Sequence, residues 1–147
     1  MLSSNLIVSL PLALDMTATV PKKILFILRS SPYGSAMAQE GVDSVLAASV
    51  FEQDISVLFM DEGLWQLHHH QQSLGIQRLE VHPPMERKNI AAQLDAFPLY
   101  DIHKVYADKN SLKHFSMTKK ELILKPKLLS DKAIRELIAE HDVVLSY

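Results

Sequence analysis

The chain has 147 residues, a formal net charge of −2 at pH 7, 48% hydrophobic and 22% charged residues, and no cysteine. The length suits one domain able to bury its own core, and the near-neutral charge argues against whole-molecule attraction to nucleic acid or an anionic membrane. No apolar stretch approaches the ~20 residues a membrane span needs, and without a thiol this chain can carry no disulfide, thiolate metal site or covalent thiol chemistry.

Residues 1–20 read as an extension outside the domain. Leu6–Leu14 is apolar enough for a signal-peptide core, but the first cation is Lys22 and the cleavage-site chemistry is poor. A disordered or loosely packed extension, or an over-long start ahead of Met16, is expected. From Lys22 the chain organises itself. Lys23–Leu28 is an apolar run of the kind found in strands covered on both faces. Arg29–Gly34 supplies turn chemistry, and Ser35 is a candidate N-cap. Ala36, Met37, Val42, Val45, Leu46 and Val50 then recur at helical spacing. Ile55–Met60 is a second buried-strand run. Two such strands joined through a helix make a parallel βαβ unit.

Asp61-Glu62-Gly63 reads as a turn, Leu64–Leu67 as the start of a helix, and His68–Gln72 as a polar loop. Pro83-Pro84 predicts extended backbone before a helix whose face is Ile90, Ala91, Leu94 and Phe97, closed by Pro98. Ile102–Ala107 is expected as a third strand, Asn110–Phe115 as a short helix, and Leu122–Leu124 as a fourth strand ended by Pro126. Ser130 caps a last helix bearing Ile134, Leu137 and Ile138, and Asp142–Tyr147 closes the sheet. This alternation implies a parallel α/β sheet with helices on both faces and functional groups beyond the carboxyl ends of its strands. That edge holds Ser30–Ser35, Asp61–Trp65 and Asp108–Ser111.

Each chemical constellation has a plainer account. Ser30–Ser35 enters a helix and could receive an anion, but it has one glycine and lacks both the P-loop lysine and GxGxxG. His68-His69-His70 invites a metal reading, yet consecutive side chains diverge, so a solvated loop is expected. Asp61-Glu62 and the Ser30 and Ser31 hydroxyls lack a partner base in sequence. No catalytic, cofactor-binding or metal-ligating set is assigned. Trp65, beside Leu64 and Leu67, is either core or an interface anchor; Tyr33 sits in a turn that could serve as a subunit contact. Residues 103–127 carry seven lysines against Asp108 and Glu121, a balance of +5 that leaves −7 elsewhere. A solvated face is the plain account, and RNA or an acidic partner the functional one.

The Lys22–Leu67 run resembles the amino-terminal half of the TusC/DsrF proteins of the DsrE/DsrF/DsrH superfamily. The likeness rests on the S-x-P-x-G turn, on Glu40-Gly41-x-Asp43-x-x-Leu46-Ala47, and on Glu62-Gly63-Leu64-Trp65-Gln66-Leu67. Leu99–Ile102 and His141–Leu145 extend it over residues 22–147. The resemblance implies a single flavodoxin-like three-layer α/β domain over 21–147 with a mainly parallel five-stranded sheet. It also implies a cytoplasmic heterohexamer holding two copies each of this chain, a TusB/DsrH-like and a TusD/DsrE-like partner. That assembly would relay persulfide sulfur towards 2-thiouridine at the tRNA wobble position, with any tRNA contact of this chain indirect, or serve sulfur oxidation in the Dsr branch. Some members of the family carry a cysteine after the third strand, where this chain has Ala107–Leu112, with Asp108 near that position. Since a carboxylate cannot replace a sulfur nucleophile, the resemblance implies a non-catalytic subunit without a cofactor. Its expected interface residues are Tyr33, Leu64, Trp65, Leu67 and Asp108. A stand-alone flavodoxin-like protein binding a small ligand or flavin is the alternative.

Overall fold

The computed structural model describes residues 20–69 and 90–147. The expected extension up to residue 19, the polar loop beyond His69 and the helix start at Pro83-Pro84 lie outside them. Five strands, β1 (Lys23–Leu28), β2 (Asp54–Phe59), β3 (Lys104–Asp108), β4 (Lys127–Leu129) and β5 (Val143–Ser146), form one sheet in the order β4-β3-β2-β1-β5. Every neighbouring pair is parallel. The helices are α1 (Met37–Ser49), α2 (Ile90–Asp95), α3 (Lys109–His114) and α4 (Asp131–Ala139), with 3-10 turns at Asp61–Leu67, Phe97–Tyr100 and Lys119–Glu121.

The apolar runs explain the layering. Side chains alternate across a strand, so β1 sends Phe26 and Leu28 to one face and Leu25 and Ile27 to the other. The first pair joins Val57 and Phe59 of β2, Val42 and Val45 of α1, Leu94 of α2 and Leu112 of α3 in one core. The second pair meets Leu58, Leu129 and the α4 residues Ile134 and Leu137. Helices therefore cover both faces, which is the expected three-layer flavodoxin-like arrangement. β4 and β5 occupy opposite edges, about 19 Å apart at the usual strand spacing. The connection through α4 must cross beneath the intervening strands, which is why its two buried side chains meet β1, β2 and β4.

A buried hydroxyl is handled on that second face. His141 Nδ1 lies 2.6 Å from the Leu137 carbonyl oxygen, and its Nε2 lies 2.9 Å from Ser56 Oγ. The carbonyl can only accept, so Nδ1 carries a proton, and in the neutral ring that leaves Nε2 to accept from the serine. Ser56, 1% exposed, is thereby satisfied, and the end of α4 is tied to β2.

The fourth strand is not where the apolar run Leu122–Leu124 placed it. Leu122 makes an isolated antiparallel bridge with His68, and the Ile123 amide donates to the Leu67 carbonyl at 2.8 Å. Leu124 and Lys125 then take left-handed backbone (φ 65° and 46°), which a strand cannot continue. Pro126 precedes β4 instead of ending it, where its missing N–H costs no ladder bond. Two boundaries shift as well. Ala36, not Ser35, is the N-cap of α1, although Ser35 Oγ accepts from the Met37 amide at 3.4 Å. Pro98 lies inside the 3-10 turn that follows α2. Ser130 caps α4 as expected, its Oγ accepting from the Ala133 amide.

The Asp61–Leu67 turn folds directly over the end of β1. A Cβ at Gly63 would sit 1.9 Å from the Leu28 carbonyl oxygen, whereas one at Gly34 (φ 86°) would meet nothing within 4 Å. Gly63→Ala is therefore expected to cost about 3 kcal/mol or more through backbone displacement, and Gly34→Ala about 1 kcal/mol through left-handed backbone alone. Urea unfolding of both variants checks this; equal costs would refute the close-approach account.

Candidate functional site

The carboxyl edge of the sheet is closed by side-chain bonds between consecutive strand ends. Beyond β1, Arg29 Nε donates to Asp61 Oδ2 at 2.8 Å. The Asp61 amide, in left-handed backbone at the start of its turn, donates to Ser111 Oγ at 2.9 Å. Ser111 Oγ in turn donates to Asp108 Oδ2 at 2.5 Å. Gln66, wholly buried, donates through Nε2 to the Ser30 carbonyl at 2.9 Å and pins the first loop from below. One continuous run of bonds thus joins the ends of β1, β2 and β3.

Asp108 is a helix cap. Its carboxylate accepts from the amides of Asn110 and Ser111 at the start of α3, at 3.1 and 3.2 Å, besides the Ser111 hydroxyl. It is 5% exposed. Such a group satisfies amides that a helix start leaves unpaired. The Ser111 hydroxyl accepts from one amide and donates to one carboxylate, so its donor is committed and no imidazole faces it in these bonds. Both side chains are 5% exposed and the carboxylate also accepts from two helix amides, so in these bonds the pair holds loops.

The five expected interface residues separate by burial. Leu64 and Leu67 are fully buried in the core, and Asp108 is the buried cap just described. Trp65 is half-buried, its ring meeting Phe115 edge-on at 5.6 Å. Tyr33 is also half-buried, and burial pushes its phenol above the ordinary 10.0. Of the five, these last two present appreciable surface to a partner. In the serine-rich first turn, Ser31 Oγ accepts from the Tyr33 amide at 3.2 Å, so its hydroxyls and amides serve each other. Asp61 is engaged by Arg29 and does not form an acid/base pair with exposed Glu62. His68 and His69 stack, with ring centroids 5.2 Å apart, and His69 Nδ1 meets the Glu121 carbonyl oxygen at 2.7 Å. Among the described residues, no group of three or more His, Asp or Glu side chains could hold a metal ion.

Sequence reasoning placed Ser111 at this edge without a role and missed the roles of Arg29 and Gln66. Gln66 left one signal: it lies between Leu64 and Leu67 in a short turn, so any packing that buries both leucines draws it inward.

The model of the DsrE/DsrF-like family matches residues 22–147. The chain belongs to that family. The DsrE/DsrF-like domain so defined includes all five strands. It is 35% identical over 127 residues to a protein named TusC homolog from Pasteurella multocida, covering 85% of this chain and 99% of that one. A TusC homolog from Vibrio parahaemolyticus is 33% identical over 125 residues, covering 85% and 98%. The intracellular sulfur oxidation protein DsrF of Allochromatium vinosum is 32% identical over 104 residues, covering 71% and 70%. The crystal structure of the YchN protein of E. coli superposes with a TM-score of 0.67 at 18% identity, covering 86% of this chain and 99% of that one; it shares the fold.

Two local devices here are testable. Asp108→Ala should cost about 2 kcal/mol in chemical unfolding, the upper range for a lost cap, and Asp108→Asn clearly less because an acceptor remains. Equal loss in the two variants would contradict the capping role. Further on, Glu121 accepts from the Thr118 amide and hydroxyl in a capping box, which holds its carboxyl below the ordinary 4.5. A lowered folded-state pKa gives stability that is present above pH 4.5 and lost as pH falls through the folded value. Melting temperatures of wild type and Glu121→Gln should therefore differ at pH 7 and converge at the acid end. A constant gap across that range would refute the linkage.

Proposed function

We propose that this chain is a non-catalytic, TusC-like subunit of a cytoplasmic sulfur-relay complex. In this reading it assembles with TusB/DsrH-like and TusD/DsrE-like subunits, two copies of each, and the complex passes persulfide sulfur towards 2-thiouridine at the tRNA wobble position. The observation that carries the reading is the unbroken similarity to TusC homologs over nearly their whole length. The chemistry at the end of β3 supports it. Asp108, the last residue of the third strand, is a buried cap, and with no cysteine in the sequence there is no thiol to form or receive a persulfide. The thiol must then come from a partner.

Uncovered apolar surface also favours a subunit over a stand-alone protein. At the amino-terminal edge of the sheet, Val50 and Phe51 after α1 and Leu99 and Tyr100 in the 3-10 turn are exposed, Phe51 at 73% and Leu99 at 87%. Of these, Tyr100 lines a groove together with Ser49, Glu52, Gln53, Asp101 and Ile102. Val144 and Leu145 on edge strand β5 add to the apolar surface. Exposed apolar patches of this kind mark interaction sites. The similarity to the A. vinosum protein named for intracellular sulfur oxidation keeps a sulfur-oxidation role as the second reading.

Light scattering of this chain co-expressed with a DsrE-like and a DsrH-like partner should give a complex with two copies of each, and deleting its gene should abolish wobble 2-thiouridine. A complex without any thiolation defect would favour the oxidation role. A lone monomer with both partners present would overturn the subunit reading. Within the complex, Trp65→Ala should weaken assembly more than it weakens the isolated fold. Phe51→Ser should loosen assembly with stability held within about 0.5 kcal/mol, as for other surface changes. If sizing and melting lose equally for both variants, neither residue is an interface anchor.

A further inference from the structure

The lysine-rich segment between β3 and β4 takes a definite form in the fold. Residues 109–126 are a crossover laid on the larger core, into which they send Leu112, Met117 and Leu122. Lys109, Lys113, Lys119, Lys120 and Lys125 are all exposed, as is Lys127 at the start of β4. Lys104 does not join them, since its ammonium pairs with Asp54 at 2.7 Å. Among the described residues, the six others enter no ion pair. The segment's two carboxylates are turned to internal use. Asp108 is buried as the α3 cap, and Glu121 closes the Thr118 capping box. Asp131, at the start of α4, accepts from Asn110 Nδ2 of α3 at 2.9 Å.

The surroundings of these lysines decide between partners. None of the exposed large hydrophobic side chains lies between residues 103 and 127. Protein interfaces centre on apolar and aromatic anchors and are depleted in lysine. A lysine surface without apolar anchors instead matches the footprint of phosphate contacts, where each ammonium acts as a point charge and releases condensed counterions. Among the described residues, the most exposed large apolar side chains outside the termini, Val50, Phe51 and Leu99, lie at the amino-terminal edge of the sheet, and Trp65, which packs on Phe115 beside the crossover, is only half-exposed. We propose that the outer surface of the β3–β4 crossover binds the phosphate backbone of tRNA. The choice of tRNA among polyanions rests on the proposed thiolation role; the charge and the absence of anchors are independent of it.

The test is binding of the purified full-length chain to unmodified tRNA by fluorescence anisotropy over a range of salt concentrations. Lys113→Gln/Lys119→Gln/Lys120→Gln should weaken binding about tenfold at low salt and reduce the log–log salt slope by about 2 to 3, near one per contact removed. Lys109→Gln/Lys125→Gln/Lys127→Gln should do likewise, which keeps the test open if one triple variant misfolds by circular dichroism. Lys22→Gln/Lys132→Gln/Arg135→Gln removes the same net charge elsewhere and should leave both quantities unchanged. No tRNA binding by wild type, an unchanged slope in the crossover variants, or equal weakening in the control would overturn the proposal. So would displacement of tRNA by polyglutamate at equal charge, since a carboxylate polymer offers no phosphates. The assay needs neither partners nor sulfur. A chain that supports assembly and thiolation but fails it refutes this surface alone, whereas one that binds tRNA but neither assembles nor affects thiolation refutes the relay role.

Discussion

Gly63 sits so close against the Leu28 carbonyl that only a residue without a side chain can lie there. The rest of the Asp61–Leu67 turn depends on that seat. The Gly63 amide donates to the Met60 carbonyl at 3.0 Å, and the Met60 amide to Leu28 at 3.2 Å, so the turn is laced to the end of β1. From there Leu64 and Leu67 drop into the core, Gln66 reaches the Ser30 carbonyl, and Asp61 stands between Arg29 and Ser111. Four consequences for three loops come from one steric fact. The Glu62–Leu67 pattern is therefore chiefly an instruction for folding, although it lies where parallel α/β proteins usually place their chemistry.

The same edge explains how a member of a sulfur-handling family can hold its shape without a thiol. A reactive cysteine needs exposure and an electropositive setting to act. Asp108 has neither requirement, because its work is to accept three hydrogen bonds from α3 while buried. Asp108, at the end of β3, is thus part of the scaffold that holds the loops of this edge.

Much of this was legible in the sequence. The unbroken apolar runs of β1 and β2 and the helical spacing through Val42 and Val45 specified the βαβ unit, because period and burial agree there. β4 was misplaced because Leu122–Leu124 has the composition of a strand, while the backbone turns left-handed at two non-glycine residues that no propensity flags. The three-residue strand after Pro126 is too short to announce itself. Trp65 was open between core and interface, and the structure divides it: one part of the ring packs on Phe115 while the rest retains surface. The hydrogen-bonded run Arg29–Asp61–Ser111–Asp108 was invisible because its members come from three loops, and sequence spacing carries no information about which loops meet at a sheet edge.

The surface is as differentiated as the interior. Apolar side chains gather at the amino-terminal edge around Phe51 and Leu99, and the unpaired lysines stand on the β3–β4 crossover. These chemistries ask for different partners, since an apolar patch gains by excluding water whereas a lysine surface gains by meeting phosphate while staying wet. Burying the lysines against another subunit would strip hydration from the charges, at a cost of several kcal/mol per ion wherever that subunit supplied no carboxylate. An assembly using the apolar edge can leave the crossover in solvent. On that physical ground the two surfaces can be occupied together, and the fold needs no rearrangement to present both.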